Sequence, residues 1–239
     1  MRLSRLIHFG RLSRTLLCAA AIGFGAAASA VAAAEPKDGV QYLTLPQAQN
    51  TDAGNKVEVT EFFAYSCPHC NSFEPLLAAW VKQQGDNIVF KRVHVSGGPG
   101  ALAQQKLFYT LDALGLLESH HLKAFSAMHV ERLRFASDEA VFDWAAKAGI
   151  DRARFVDAYM SPFGMPAKLR RSERMMADYR IDSWPTIAVG GRYLTSPSQA
   201  GAGAPGLQSA QTAQTEAQLQ QSALSVMDFL VAKAKAEKK

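Results

Sequence analysis

Cys67-Pro68-His69-Cys70 is the segment of this 239-residue chain whose residue types and spacing could do chemistry. Two cysteines separated by two residues can close into a disulfide and reopen. The loop so closed is very short, and chain entropy assigns it only about 2 kcal/mol of stabilisation. Such a bond is a poor staple and a well-placed switch. The attacking species in disulfide exchange is the thiolate. Here the motif follows the run Glu61-Phe62-Phe63-Ala64-Tyr65, as a strand passing into a helix would. A helix start offers unpaired N–H groups and a positive dipole end to that thiolate. Cys67 is therefore the expected exposed nucleophile, and Cys70, one turn in, the expected buried resolving thiol. Pro68 suits the first helical position. His69 sets a tunable charge beside Cys67. Stabilising the Cys67 thiolate stabilises the reduced form and makes the disulfide a stronger oxidant. The alternatives are a structural bridge or half of a zinc site. A structural zinc site wants four ligands, and no second cysteine pair exists.

Glu61 shares a strand face with Val57, Val59 and Phe63, which predicts burial just behind the cysteines. A buried carboxyl has a raised pKa and can accept or relay a proton; a strand twist or water channel that solvates it is the competing reading. Trp184-Pro185-Thr186 opens a later strand, where proline at the first residue is allowed. His120, His121 and His129 fall on predicted helices and read as solvated surface histidines rather than a metal pair, so no metal is expected. Arg170, Arg171 and Arg174 read as a wet helix face.

Residues 1–34 have the form of a secretory signal. Arg2, Arg5, Arg11 and Arg14 precede a charge-free apolar stretch, and Ala30 and Ala32-Ala33-Ala34 suit a cleavage site near Ala34 or slightly earlier. A retained membrane anchor is the alternative, against a short, Ala-rich apolar core. The whole chain carries 26 Lys+Arg and 21 Asp+Glu, net +5. Removing those four arginines leaves 22 against 21, or +1, so nucleic-acid binding loses its compositional support. Of three cysteines, Cys18 goes with the signal, leaving one pair. Export implies an oxidising compartment, the bacterial periplasm, where a disulfide persists.

These residues must be positioned by a recognisable order of elements. Residues 57–65 read as a central strand, the helix begins at the cysteines with Pro75 inside it and Gly85 as its stop, and residues 88–95 form a second strand. Helical spacing then recurs over 101–114, 118–131, 137–149 and 151–160 and on to about 179, with Ser137 and Asp151 as N-caps. Residues 185–189 and 192–194, joined by Gly190-Gly191, read as a hairpin. A Gly/Ser/Ala/Gln-rich loop spans 196–214, and an amphipathic helix spans 215–236. The fold class is α/β: a thioredoxin-like domain over 35–98 and 181–239, with a helical domain, 99–180, inserted between the strand–helix–strand half and the hairpin–helix half.

With these residues in hand the chain resembles the DsbA family of thiol:disulfide interchange proteins. The likeness rests on Glu61-Phe62-Phe63, Cys67-Pro68-His69-Cys70, Phe73-Glu74, His94-Val95, Trp184-Pro185, Gly190-Gly191-Arg192-Tyr193 and a Lys-rich last helix. The resemblance implies a cis-proline at Pro185 and backbone pairing of Trp184 with a bound peptide. It also implies a mixed disulfide at Cys67, with Cys70 resolving the reverse reaction and Glu61 as the family's buried acid. A depressed Cys67 pKa and an oxidising potential are themselves known properties of that family. Arg92 stands where well-studied members carry a lysine opposite the acid, with Lys91 beside it, and Trp184 replaces a smaller residue. No cofactor is expected beyond the redox-active disulfide. Expected partners are reduced, unfolded exported proteins and a DsbB-like, quinone-linked membrane oxidase, with the protein acting as a monomer. Competing functions are a reductase or isomerase, against which only about twenty residues precede Val57 for a dimerisation domain, and a peptide-holding chaperone.

Overall fold

The computed structural model describes residues 35–98, 100–202 and 214–238. The signal-like segment, Cys18 and most of the 196–214 loop lie outside the described residues. The seven residues Val57–Phe63 form β2, buried throughout because both faces of the strand are covered. Pro68–Gln84 is α1, which runs through Pro75 and stops at Gly85 with φ +51°, followed by a 3-10 turn over Gly85–Asn87. Ile88–His94 is β3, parallel to β2 and in a register that sets Glu61 opposite Arg92. Five helices follow: α2 (Ala101–Ala113), α3 (Leu117–His129), α4 (Asp138–Lys147), α5 (Arg152–Tyr159) and α6 (Gly164–Asp178). Ser137 and Asp151 cap α4 and α5 as their sequence positions predict.

The chain then returns as β4 (Thr186–Val189) and β5 (Tyr193–Thr195), and ends in α8 (Glu216–Glu237). Two short elements escape the pattern reading because neither is long enough to show a period: β1 (Leu43–Thr44) and α7 (Pro197–Ala200), the latter inside the expected loop. The sheet order is β1-β5-β4-β2-β3, parallel only between β2 and β3. Val57, Val59, Ile187 and Val189 pack under α1 and α8, against Phe73, Leu77, Trp80, Met227 and Leu230. Phe62, Phe63 and Val93 pack instead against Leu107, Phe108, Phe125 and others of the inserted helices. β2 contributes to both cores, as β3, β4 and β5 do, and the cysteines follow its end.

Thr215 starts α8 with a capping box: its hydroxyl accepts from the Gln218 N–H while the Gln218 side chain accepts from the Thr215 N–H. The β4–β5 turn, closed by the Arg192 N–H donating to the Val189 carbonyl, places its two central residues Gly190 and Gly191 at φ +63° and +70°, where glycine is favoured. At Gly191 a Cβ would also collide with the Gln49 carbonyl oxygen. Gly191→Ala should therefore cost at least about 1 kcal/mol, read as a lower denaturant midpoint at unchanged slope.

Candidate active site

The active-site motif begins where β2 ends, and the turn between them is held by four side chains from three elements. His94 of β3 accepts the Tyr65 N–H at Nε2, 3.1 Å, so its proton sits on Nδ1, which donates to the Val95 carbonyl, 2.9 Å. Burial pushes the His94 pKa down to about 3, and the ring is a neutral brace. Gln104 of α2 accepts the Ser66 N–H, 3.1 Å. From α3, His129 Nε2 donates to the Tyr65 carbonyl, 2.8 Å, and His121 Nδ1 bonds the Tyr65 hydroxyl, 3.0 Å. The expectation that His120, His121 and His129 are solvated surface residues is thus corrected. His120 and His121 are buried, and His129 is half-buried over the turn. Helical spacing placed them on a helix but could not show which face α3 turns to the sheet. Arg170, Arg171 and Arg174 are exposed, as read.

Cys67 is the N-cap of α1. Its sulfur accepts the Cys70 N–H at 3.1 Å, and Pro68 opens the helix where no N–H is needed. The pair is present as two thiols. Cys67 retains only 7% exposure, so the expected exposed nucleophile is corrected to a largely buried one, whereas Cys70 is fully buried. The Cys67 pKa is lowered to about 7, chiefly by the Cys70 thiol bonded to it, then by the Cys70 and His69 backbone N–H groups and the His69 charge; burial opposes this. Burial drives Cys70 far up, reinforced by Cys67 and by the Glu61 charge. Among neighbouring helix-start residues, only Cys67 is set up as a thiolate.

Trp184-Pro185 carries a cis peptide bond, and the Cys67 thiol donates toward the Trp184 carbonyl, 3.6 Å. The Trp184 indole lies over Gly97, where any Cβ would collide with it. Trp184, Pro185 and His69 line a groove of about 290 Å³ together with Pro197, Glu216 and Leu219. Thr186 does not line this groove. It is the first residue of β4, paired with Phe62, and its hydroxyl donates back to the Ser183 carbonyl, 2.8 Å. A second cleft of about 370 Å³, bordered by β3, α2 and α6, holds neither cysteine.

Glu61 is fully buried, not solvated. Its Oε2 accepts from Arg92 Nε at 3.0 Å, and Arg92 also bonds Glu74 of α1 at 2.5 Å. Two buried carboxylates thus share one guanidinium. Burial first, then the Glu74 charge, raises the Glu61 pKa to about 8; burial raises Glu74 to about 7. Glu61 Oε1, Glu74 Oε2 and His121 Nε2 have no hydrogen-bond partner among the described residues, and the last two face each other at 3.6 Å. Glu74 is a site residue that sequence reasoning passed over. It stands four residues after Cys70 and so one turn up the same helix face, which was the available signal. Glu216 was also missed: from α8 it accepts from His69 Nδ1 at 2.9 Å, and this partner raises the His69 pKa.

The raised Glu61 carboxyl has a stability consequence of definite sign. Its folded pKa of about 8 exceeds the ordinary 4.5, so its contribution is fully present below the lower value and is lost as pH rises through the higher one. Glu61→Gln should gain stability relative to the parent between about pH 5 and about pH 8, measured by thermal unfolding of both in the dithiol form. A pH-independent difference would refute the buried-acid account.

Comparison with known proteins agrees with this geometry. Residues 58–215 match the model of the DSBA-like thioredoxin domain. The chain is 42% identical over 189 residues to the thiol:disulfide interchange protein DsbA of Burkholderia cepacia, covering 79% of this chain and 88% of that one. It is 40% identical over 187 residues to that of Bordetella parapertussis, covering 78% and 87%. The crystal structure of Pseudomonas aeruginosa DsbA superposes with a TM-score of 0.73 at 27% identity, covering 84% of this chain and 96% of that one. A dithiol at the start of α1, a cis-proline facing it and an all-helical excursion between β3 and β4 are thus accompanied by likeness along most of the chain, and the protein belongs to the DsbA-like thioredoxin family.

Proposed function

We propose that the protein is a thiol:disulfide oxidase that donates its Cys67–Cys70 disulfide to reduced, unfolded exported proteins in the bacterial periplasm. The observation that carries this reading is the asymmetry of the pair: Cys67 is lowered to about 7 while Cys70 is driven far up. The low-pKa thiol is the better leaving group, so the mixed disulfide is released toward substrate. A substrate thiolate attacks Cys67 Sγ, the Cys67–Cys70 bond breaks, and Cys70 leaves and takes a proton. Glu61, protonated at neutral pH by its value of about 8 and electrostatically coupled to Cys70, is the buried acid that supplies that proton. The substrate's second thiolate then attacks its own sulfur in the mixed disulfide and expels Cys67 as a thiolate. Two electrons have passed to the enzyme, and a quinone-linked membrane oxidase of the DsbB type removes them. Arg92 remains a cation throughout, because a guanidinium does not deprotonate usefully; the mobile proton belongs to the carboxylates. The Trp184-Pro185 segment and its groove take the peptide flanking the reacting cysteine.

The signal-like residues 1–34 support export, and no helix among the described residues is long and apolar enough to cross a membrane. The protein acts as a monomer without metal or organic cofactor. In graded glutathione buffers the pair should be half-reduced only under strongly oxidising conditions; persistence of the disulfide into strongly reducing buffer would point to a reductase or a structural bridge. Cys67→Ser should abolish oxidation of a reduced peptide, whereas a Cys67→Ala/Cys70→Ala variant that still restored substrate folding would favour a chaperone. His69→Ser should move the midpoint toward more reducing buffer.

A further inference from the structure

The exchange reaction assigns no role to Glu216, which follows His69 by 147 positions yet bonds it directly. One oxygen, Glu216 Oε1, accepts from His69 Nδ1 at 2.9 Å, from the Ser72 hydroxyl at 2.5 Å and from Gln220 Nε2 at 3.3 Å. Gln220, itself buried, also donates to the Ser72 hydroxyl, 2.8 Å. The carboxylate is thereby pinned between α1 and α8 before His69 is counted.

We propose that Glu216 is a positioning residue for disulfide exchange: from the first turn of α8 it fixes the His69 ring and its charge beside Cys67, so that the C-terminal helix tunes how oxidising the pair is. The proposal rests on the oxidoreductase reading above. An acceptor at Nδ1 fixes the proton there and leaves Nε2 as the atom that gains or loses the second one. The side chains of His69 and Glu216 are 72% and 48% exposed, a setting in which an ion pair is ordinarily worth little. Pinning changes that balance, because Glu216 has already lost its rotamer freedom to Ser72 and Gln220. Its carboxylate raises the His69 pKa, and the His69 charge in turn lowers that of Cys67. Among the described residues, the charges facing His69 are Glu216 from α8 and Cys67 on α1; the other residues lining the groove, from 183–185, 196–198 and α8, carry none.

The test is Glu216→Gln, which keeps the shape and an acceptor and removes the charge, beside Ser72→Ala, which loosens the clamp and keeps the charge. The His69 midpoint is read by NMR and the Cys67 thiolate by its ultraviolet absorbance, neither of which requires turnover. Glu216→Gln should lower the His69 midpoint, raise that of Cys67, and cut the glutathione equilibrium constant for reduction of the disulfide about twofold to fivefold, the range open to an exposed pair. The change should shrink at high salt and vanish in a His69→Ser background. An equal effect from Ser72→Ala, or one that survives His69→Ser, would reduce Glu216 to a structural clamp and overturn the proposal. A fall in the Cys67 midpoint would also overturn it, since the carboxylate would then be repelling the thiolate directly. Inability of the parent protein to oxidise a peptide would refute the oxidase reading instead and leave these titrations interpretable.

Discussion

A single hydrogen bond, from the Cys70 backbone N–H to the Cys67 sulfur at 3.1 Å, is the constraint on which the site depends. Every helix start has N–H groups without intrahelical partners, and the residue that caps them is ordinarily Ser, Thr, Asp or Asn. Here the cap is a sulfur. A neutral thiol is a weak acceptor and a thiolate a strong one. The helix's demand for a cap and the chemistry's demand for a thiolate are therefore met by one contact. That contact exists only if the strand–helix junction is held still, which explains why the preceding turn is gripped by His94, Gln104, His121 and His129 at once.

Behind the junction the protein carries an arrangement that does not favour stability. Two glutamates are buried against one arginine, and removing charges from water costs more than such pairs usually return. The conflict is relieved by a proton: with values of about 8 and about 7, the two acids cannot both remain ionised cheaply at neutral pH. The inserted helices complete the enclosure, since His121 of α3 faces Glu74 and is itself bonded to the Tyr65 hydroxyl.

Much of this was legible in the sequence because local rules dominate there. Pro68 after a capping position, Ser137 and Asp151 before apolar periodicity, and paired glycines between short strands each act within a few residues, and each forms the element predicted. Glu61 could be placed by period-two alternation, and its burial followed. What escaped depends on contacts distant in sequence. Glu74 of α1 meets Arg92 of β3 across 18 positions, His129 reaches Tyr65 across 64, and Glu216 reaches His69 across 147. A helical wheel gives each histidine a face but not the neighbour that face will meet, and this is why the α3 histidines were misread as surface residues.

The order in which these partners occur along the chain also has a temporal meaning. Ribosomes and translocons deliver a polypeptide N-terminus first, so the two cysteines emerge well before Trp184-Pro185 and α8. A nascent chain that has reached only α1 has the dithiol and its helix dipole, but neither the carbonyl that faces Cys67 nor the carboxylate that holds His69. The site is complete only when the final helix docks. The fold thereby leaves the assembly of its groove and of the His69 contact until nearly all of the chain has arrived.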